Sequence, residues 1–273
     1  MISHKFLSAT LCVCILTAAC APTPKPPAPT VDHSVHEHNH AHGSSTPALV
    51  VFEDLPGELP AGQPTSVTFH LEQDGTRVEK LEPTHEKLMH LILVRDALDV
   101  FLHLHPQVSD EGQAQIKLTV PEPGSYHVYV DFQPKGGQAG TARTTMKVAG
   151  DARPAVELKT NAPGEVIAGE LRAEIAIAAG GDGKSQTITF RLQDRQTGEP
   201  VKDLEPYLGA MGHLVVIQAA TKAYIHAHPE HGAAATSEVA FQVHTPASGQ
   251  YAGWAQFQRG GDVVTVPFVF EGR

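Results

Sequence analysis

One pattern occurs twice in this chain. Residues 88–108 read LMHLILVRDALDVFLHLHPQV, and residues 211–231 read MGHLVVIQAATKAYIHAHPEH. His90, His103, His105 and Pro106 correspond to His213, His226, His228 and Pro229 at a constant offset of 123. The match continues outward. Residues 67–71 (VTFHL) align with 188–192 (ITFRL), Leu81-Glu82-Pro83 with Leu204-Glu205-Pro206, Gly124-Ser125-Tyr126 with Gly249-Gln250-Tyr251, and Asp131-Phe132-Gln133 with Gln256-Phe257-Gln258. A solenoid unit repeats every 20–50 residues or so, and this period is far longer. Each copy is therefore expected to be a domain.

Within a copy the apolar periodicity is that of strands. Val67, Phe69 and Leu71 alternate with Thr68 and His70, the signature of a half-buried strand. Residues 91–94 and 100–104 flank the polar stretch 95–99 and predict a hairpin. Residues 116–120 and 126–130 follow across Pro121-Glu122-Pro123-Gly124, and 144–148 close the copy. With 24 Gly and 21 Pro as punctuation, this predicts an all-β chain of two tandem immunoglobulin-like (cupredoxin-like) β-sandwich domains. They span 48–150 and 151–273.

The segments before them differ in kind. Residues 6–19 are apolar but shorter than the roughly 20 residues that span a bilayer, so 1–20 is expected to be a signal peptide. Its end, Leu16-Thr17-Ala18-Ala19-Cys20, resembles a bacterial lipoprotein signal. That resemblance implies cleavage before Cys20, a lipid on its thiol, and an extracytoplasmic, membrane-anchored protein on the periplasmic side or the cell surface. An ordinary signal peptide with an incidental cysteine is the alternative. Residues 21–47 begin APTPKPPAPT and continue with His33, His36, His38, His40 and His42, a composition that cannot pack a core. This stretch is expected to be a disordered Pro/His-rich stalk, able to chelate transition metal without a folded site.

Two classes of chemistry drop out. A formal net charge of −10 with no basic run excludes a nucleic-acid partner. All three cysteines lie at 12, 14 and 20, so the folded domains have no disulfide and no thiolate, and an electron-transfer copper site of the His₂Cys type is excluded.

Residues 206–215 (PYLGAMGHLV) followed by 223–229 (AYIHAHP) resemble a module of bacterial secreted proteins and lipoproteins with the signature PYLGxxGHLV…YxHxHP. Those proteins are mostly uncharacterised and often suspected of binding heavy metals. The resemblance covers most of 185–270 and, more loosely, 65–148. The first copy departs from it where Thr84-His85-Glu86-Lys87 replaces Tyr207-Leu208-Gly209-Ala210.

Alternate residues of a strand share a face, so His103 and His105 point together, as do His226 and His228. If the hairpin sets His90 opposite 103 or 105, three imidazoles gather; a one-residue slip turns His90 away. His213 obeys the same condition. Three neutral imidazoles suit Zn or Cu and leave one coordination position open. His127, His231, Met89 and Met211 are nearby candidates for further ligands, and Tyr129 and Trp254 are expected to be core or sheet-surface aromatics. The competing expectation is that the histidines serve the strand-to-turn junction as hydrogen-bonding groups. Three functions follow: metal capture, buffering or handover to metal-handling envelope proteins, without catalysis; a non-metal tandem interaction or spacer module; and a zinc hydrolase. No carboxylate recurs beside the triad in both copies, which weighs against the hydrolase.

Overall fold

The computed structural model describes residues 47–55, 57–229 and 237–272, which hold nineteen strands and no helix. The first copy comprises β1 (Leu49–Phe52), β2 (Leu59–Pro60), β3 (Thr65–Gln73), β4 (Thr76–Arg77), β5 (Met89–Arg95), β6 (Phe101–Leu104), β7 (Gln107–Val108), β8 (Gln113–Leu118), β9 (Gly124–Phe132) and β10 (Gly140–Ala149). They form two sheets, β1-β3-β8-β7 with β4 added to β3, and β2-β10-β9-β5-β6. The second copy comprises β11 (Gly164–Ala168), β12 (Leu171–Ala179), β13 (Ser185–Asp194), β14 (Leu204–Glu205), β15 (His213–Gln218), β16 (Tyr224–Ala227), β17 (Glu238–His244), β18 (Gly249–Arg259) and β19 (Asp262–Gly272). Its sheets are β11-β12-β13-β17 and β14-β18-β15-β16, with β19 paired to β18. The chain is thus two tandem β-sandwiches.

Alternation fills each sandwich. Val67, Phe69 and Leu71 of β3 meet Leu91 and Leu93 of β5 and Val128 and Val130 of β9. Ile188, Phe190 and Leu192 of β13 meet Leu214 and Val216 of β15 and Ala255 and Phe257 of β18. At about 25 cal/mol per Å² of apolar surface removed from water, these inward rows are the main stabilising term. In both copies a buried tyrosine at the start of the long central strand donates to a carbonyl four residues back: Tyr126 to Glu122 at 2.8 Å and Tyr251 to Ala247 at 2.7 Å. This corner is a hallmark of immunoglobulin-like sandwiches.

Strands β5 and β15 are buried along their whole length, which a half-exposed sheet does not require. Their other faces explain it. Ile92, Val94, Leu98 and Tyr129 of the first sandwich form one apolar layer with Val215, Ile217, Ala252 and Trp254 of the second. Phe101 stacks on Trp254 with ring centroids 4.9 Å apart, and Tyr224 stacks on Tyr129 at 4.6 Å. Phe101 and Tyr224 are equivalent in the repeat, as are Tyr129 and Trp254, so the two stacks are the same contact made in opposite senses. The interface is isologous within one chain. Both sandwiches belong to one compact unit.

Candidate metal centre

Strands β5 and β6 pair with Leu91 opposite Leu104 and Ile92 opposite His103. Continued by one step, this register sets His90 opposite His105, one of the two arrangements that gather the three rings. In the second copy Leu214 faces Ala227 and Val215 faces His226, which sets His213 opposite His228. His90 then shares its face with Ile92 and Val94, and His213 shares its face with Val215 and Ile217. Both triads therefore lie on the sheet faces that look toward the other sandwich.

The ring nitrogens converge. His90, His103 and His105 each offer one within 4.8 Å of the others, and so do His213, His226 and His228. His90 Nδ1 lies 3.0 Å from His103 Nε2 and 3.2 Å from His105 Nε2, and His213 Nδ1 lies 3.5 Å from His226 Nε2. Ligands of a tetrahedral ion with bonds of about 2.0–2.1 Å sit about 3.3 Å apart. The spacing suits an ion.

Hydrogen bonds on the outer side of each ring decide what the inner side offers. His213 Nε2 is 2.8 Å from the Tyr207 carbonyl, and His226 Nδ1 is 2.8 Å from Asp131 Oδ2. A carbonyl and an ionised carboxylate only accept, so each neutral ring spends its single N–H outward. His213 Nδ1 and His226 Nε2 then face each other as lone pairs. That contact is repulsive until a cation sits between them. His228 Nε2, the counterpart of the His105 nitrogen that faces His90, is buried with no hydrogen-bond partner, a cost that ligation removes. The first copy repeats the scheme: His90 Nε2 is 2.9 Å from the Thr84 carbonyl, and His103 Nδ1 is 2.6 Å from Gln256 Oε1. Outer partners of this kind fix tautomer and ring orientation at metal sites. The residues fit a metal ion.

Protonation is a poor substitute for the metal. Burial, reinforced by the neighbouring imidazoles, lowers His103 and His213 to about 3. Burial, with His90 and Lys87 adding to it, lowers His105 to about 4. His90, His226 and His228 are also lowered, with burial the leading cause. At neutral pH the rings are therefore uncharged and ready to ligate.

Several sequence-predicted residues lie elsewhere. His127 faces Val94 across β9 and β5 and pairs with Asp96 at 2.8 Å, so it adds nothing to the first triad. Met89 is buried in the first core and Met211 packs against the second, so neither thioether serves as a ligand. Cys20, His33, His36, His38, His40, His42 and His231 lie outside the described residues. Sequence reasoning missed Asp131, Gln256 and His85. Asp131 accepts from His226, from Tyr224 and from Thr141 Oγ1 at 2.6 Å, although it stands in the apolar strand β9. A polar residue interrupting a buried run in the long central strand of each copy, YVDF in β9 and WAQF in β18, was the available signal. His85, from the turn where the first copy departs from the signature, stacks on His228 with centroids 3.5 Å apart.

Solved structures similar to this chain include a tetra-tandem repeat from the extending region of a large adhesion protein, at 11% identity, 83% coverage of this chain and a TM-score of 0.28. This chain spans 49% of that structure. A two-domain fibronectin type III segment from chicken tenascin is 8% identical, with 81% of this chain and 98% of that one covered and a TM-score of 0.25. No curated protein matches this sequence. A family model matches it twice, over residues 49–150 and 168–272, and the chain belongs to that family, described as domain of unknown function DUF8832.

Proposed function

We propose that this protein binds transition metal through its two histidine triads and serves capture, buffering or handover of zinc or copper outside the cytoplasm. One observation carries this reading: in the second triad the outer hydrogen bonds leave two lone pairs facing at 3.5 Å beside a buried, unpartnered third nitrogen. The all-imidazole donor set selects borderline ions over calcium or magnesium, which require oxygen. A lipid on Cys20 would tether the protein to a membrane, and the histidine tract at 33–42 would raise the local metal concentration beside the domains. Storage or transfer is favoured over hydrolysis because Asp131, the carboxylate that among the described residues is bonded to a triad histidine, already accepts on both oxygens, from Thr141 on Oδ1 and from His226 and Tyr224 on Oδ2.

The test is equilibrium titration with Zn²⁺ and Cu²⁺ of protein carrying Ala at His33, His36, His38, His40 and His42, so that the tract cannot mask the domains. Saturable binding is expected, lost when His103, His105, His226 and His228 are also changed to Ala while the circular dichroism stays that of a β-sandwich. Equal binding in both proteins would sink the assignment.

A further inference from the structure

Each triad borrows from the other sandwich. His226 of the second is oriented by Asp131 of the first, and His103 of the first is oriented by Gln256 of the second. Asp131 and Gln256 are equivalent positions of the repeat. Their supports are equivalent too: Thr141 donates to Asp131 at 2.6 Å, and the Gln256 amide donates to Thr265 Oγ1 at 3.2 Å. The apolar layer of the interface ends on the two triads, which meet there. His90 lies 6.4 Å from His213 and 5.6 Å from His226 between ring centroids, and His103 lies 6.1 and 5.7 Å from the same two rings. Within the triads the centroids are 4.5 to 5.7 Å apart, so the gap between triads is scarcely wider than the gaps inside them. His85 crosses the same boundary to stack on His228.

We propose that the two triads form one dinuclear centre, in which a pair of zinc- or copper-class ions is held by six imidazoles across the interface between the sandwiches. This rests on the metal-binding reading and adds that the sites are coupled. Asp131 and Gln256 are positioning residues, each acting on the ion of the opposite sandwich. Two divalent ions bring four positive charges, and among the described residues Asp131 is the carboxylate bonded to a triad histidine, so a small anion such as hydroxide accompanies a divalent pair. A cuprous pair brings two and needs none. Reciprocity follows: whatever ion binding in one triad does to the other must be returned equally.

The experiment uses the protein with Ala at the five tract histidines, loaded with Cu²⁺ and followed by metal analysis and electron paramagnetic resonance. Two coppers per chain are expected, with a cupric signal broadened or diminished by spin coupling and a half-field transition. The variant His226→Ala/His228→Ala should bind one copper and give a full mononuclear spectrum. Asp131→Asn keeps the shape of the side chain and should weaken the ion of the second triad by about 10- to 100-fold, with the first triad's ion still bound. Two coppers with simple additive mononuclear spectra, or one copper per chain, would overturn the shared centre and leave metal binding standing. Unchanged affinity in Asp131→Asn would overturn the cross-bracing. No bound copper in the parent protein would overturn both.

Discussion

A buried histidine that must stay neutral makes stability depend on pH. In the unfolded chain these imidazoles titrate near the ordinary value of about 6.5, whereas in the fold His103 and His213 do so at about 3 and His105 at about 4. Between those limits the unfolded state takes up protons that the fold refuses. The metal-free protein is therefore at full stability above about pH 6.5 and loses it as pH falls toward 4. The urea midpoint in chelator should drop between pH 7.5 and 5, above the range where carboxylates titrate. His105→Gln/His228→Gln should flatten that slope, and a midpoint indifferent to pH in the parent would count against neutral buried rings. Four of the six triad histidines were legible as neighbours in the sequence because strand periodicity ties H-x-H to one face, whereas His90 and His213 joined them only on a condition of register. Their outer partners were not. Asp131 and Gln256 act across more than 90 positions of sequence, a distance over which spacing carries no geometric information.

At the scale of elements, duplication and alternation predicted the hairpins and the sandwiches, and register was the one condition left open. The structure closes it, since both faces of the strand are apolar. Leu91 and Leu93 pack in the first core, which places His90, Ile92 and Val94 on the opposite face, and a one-residue slip would drive His90 inward. The sequence did contain a further sign, since HLILV and HLVVI are apolar at every step after the histidine and a strand with one wet face would not be. Central strand β18 shows how tight the second core is. A Cβ on Gly253 would come within 2.4 Å of the Phe268 ring, itself 2% exposed and without room to retreat. Gly253→Ala should destabilise the second sandwich by about 1–3 kcal/mol through overpacking. A chemical-denaturation curve superimposable on the parent's would disprove this. The first copy has Val128 at the equivalent position, buried in its core, so the two sandwiches have solved the same packing problem with different residues.

For the molecule as a whole, the proposed loading of the triads would be coupled to docking of the sandwiches. The apolar layer is anchored by Trp254, 5% exposed and stacked on Phe101, and the same face carries the six histidines at its end. Ligands that bind only the docked form stabilise it by RT ln(1 + [L]/Kd), about 2.7 kcal/mol for one ion at a hundredfold excess over Kd. Trp254→Ala removes a large buried ring and should cost about 3–5 kcal/mol in the metal-free protein. Because neither triad has all its outer hydrogen bonds unless the other sandwich is in place, the same substitution should also weaken zinc binding, although among the described residues the ring that Trp254 stacks on is Phe101 and not a triad histidine. Zinc should in turn restore part of the lost stability, shifting the variant's thermal midpoint upward by more than it shifts that of a protein whose triads have been dismantled. Differential scanning calorimetry with and without zinc reads both effects. A Trp254→Ala protein that is destabilised yet binds zinc with the parent's affinity would mean that the triads are complete within each sandwich, and that the interface holds the two halves together without tuning them.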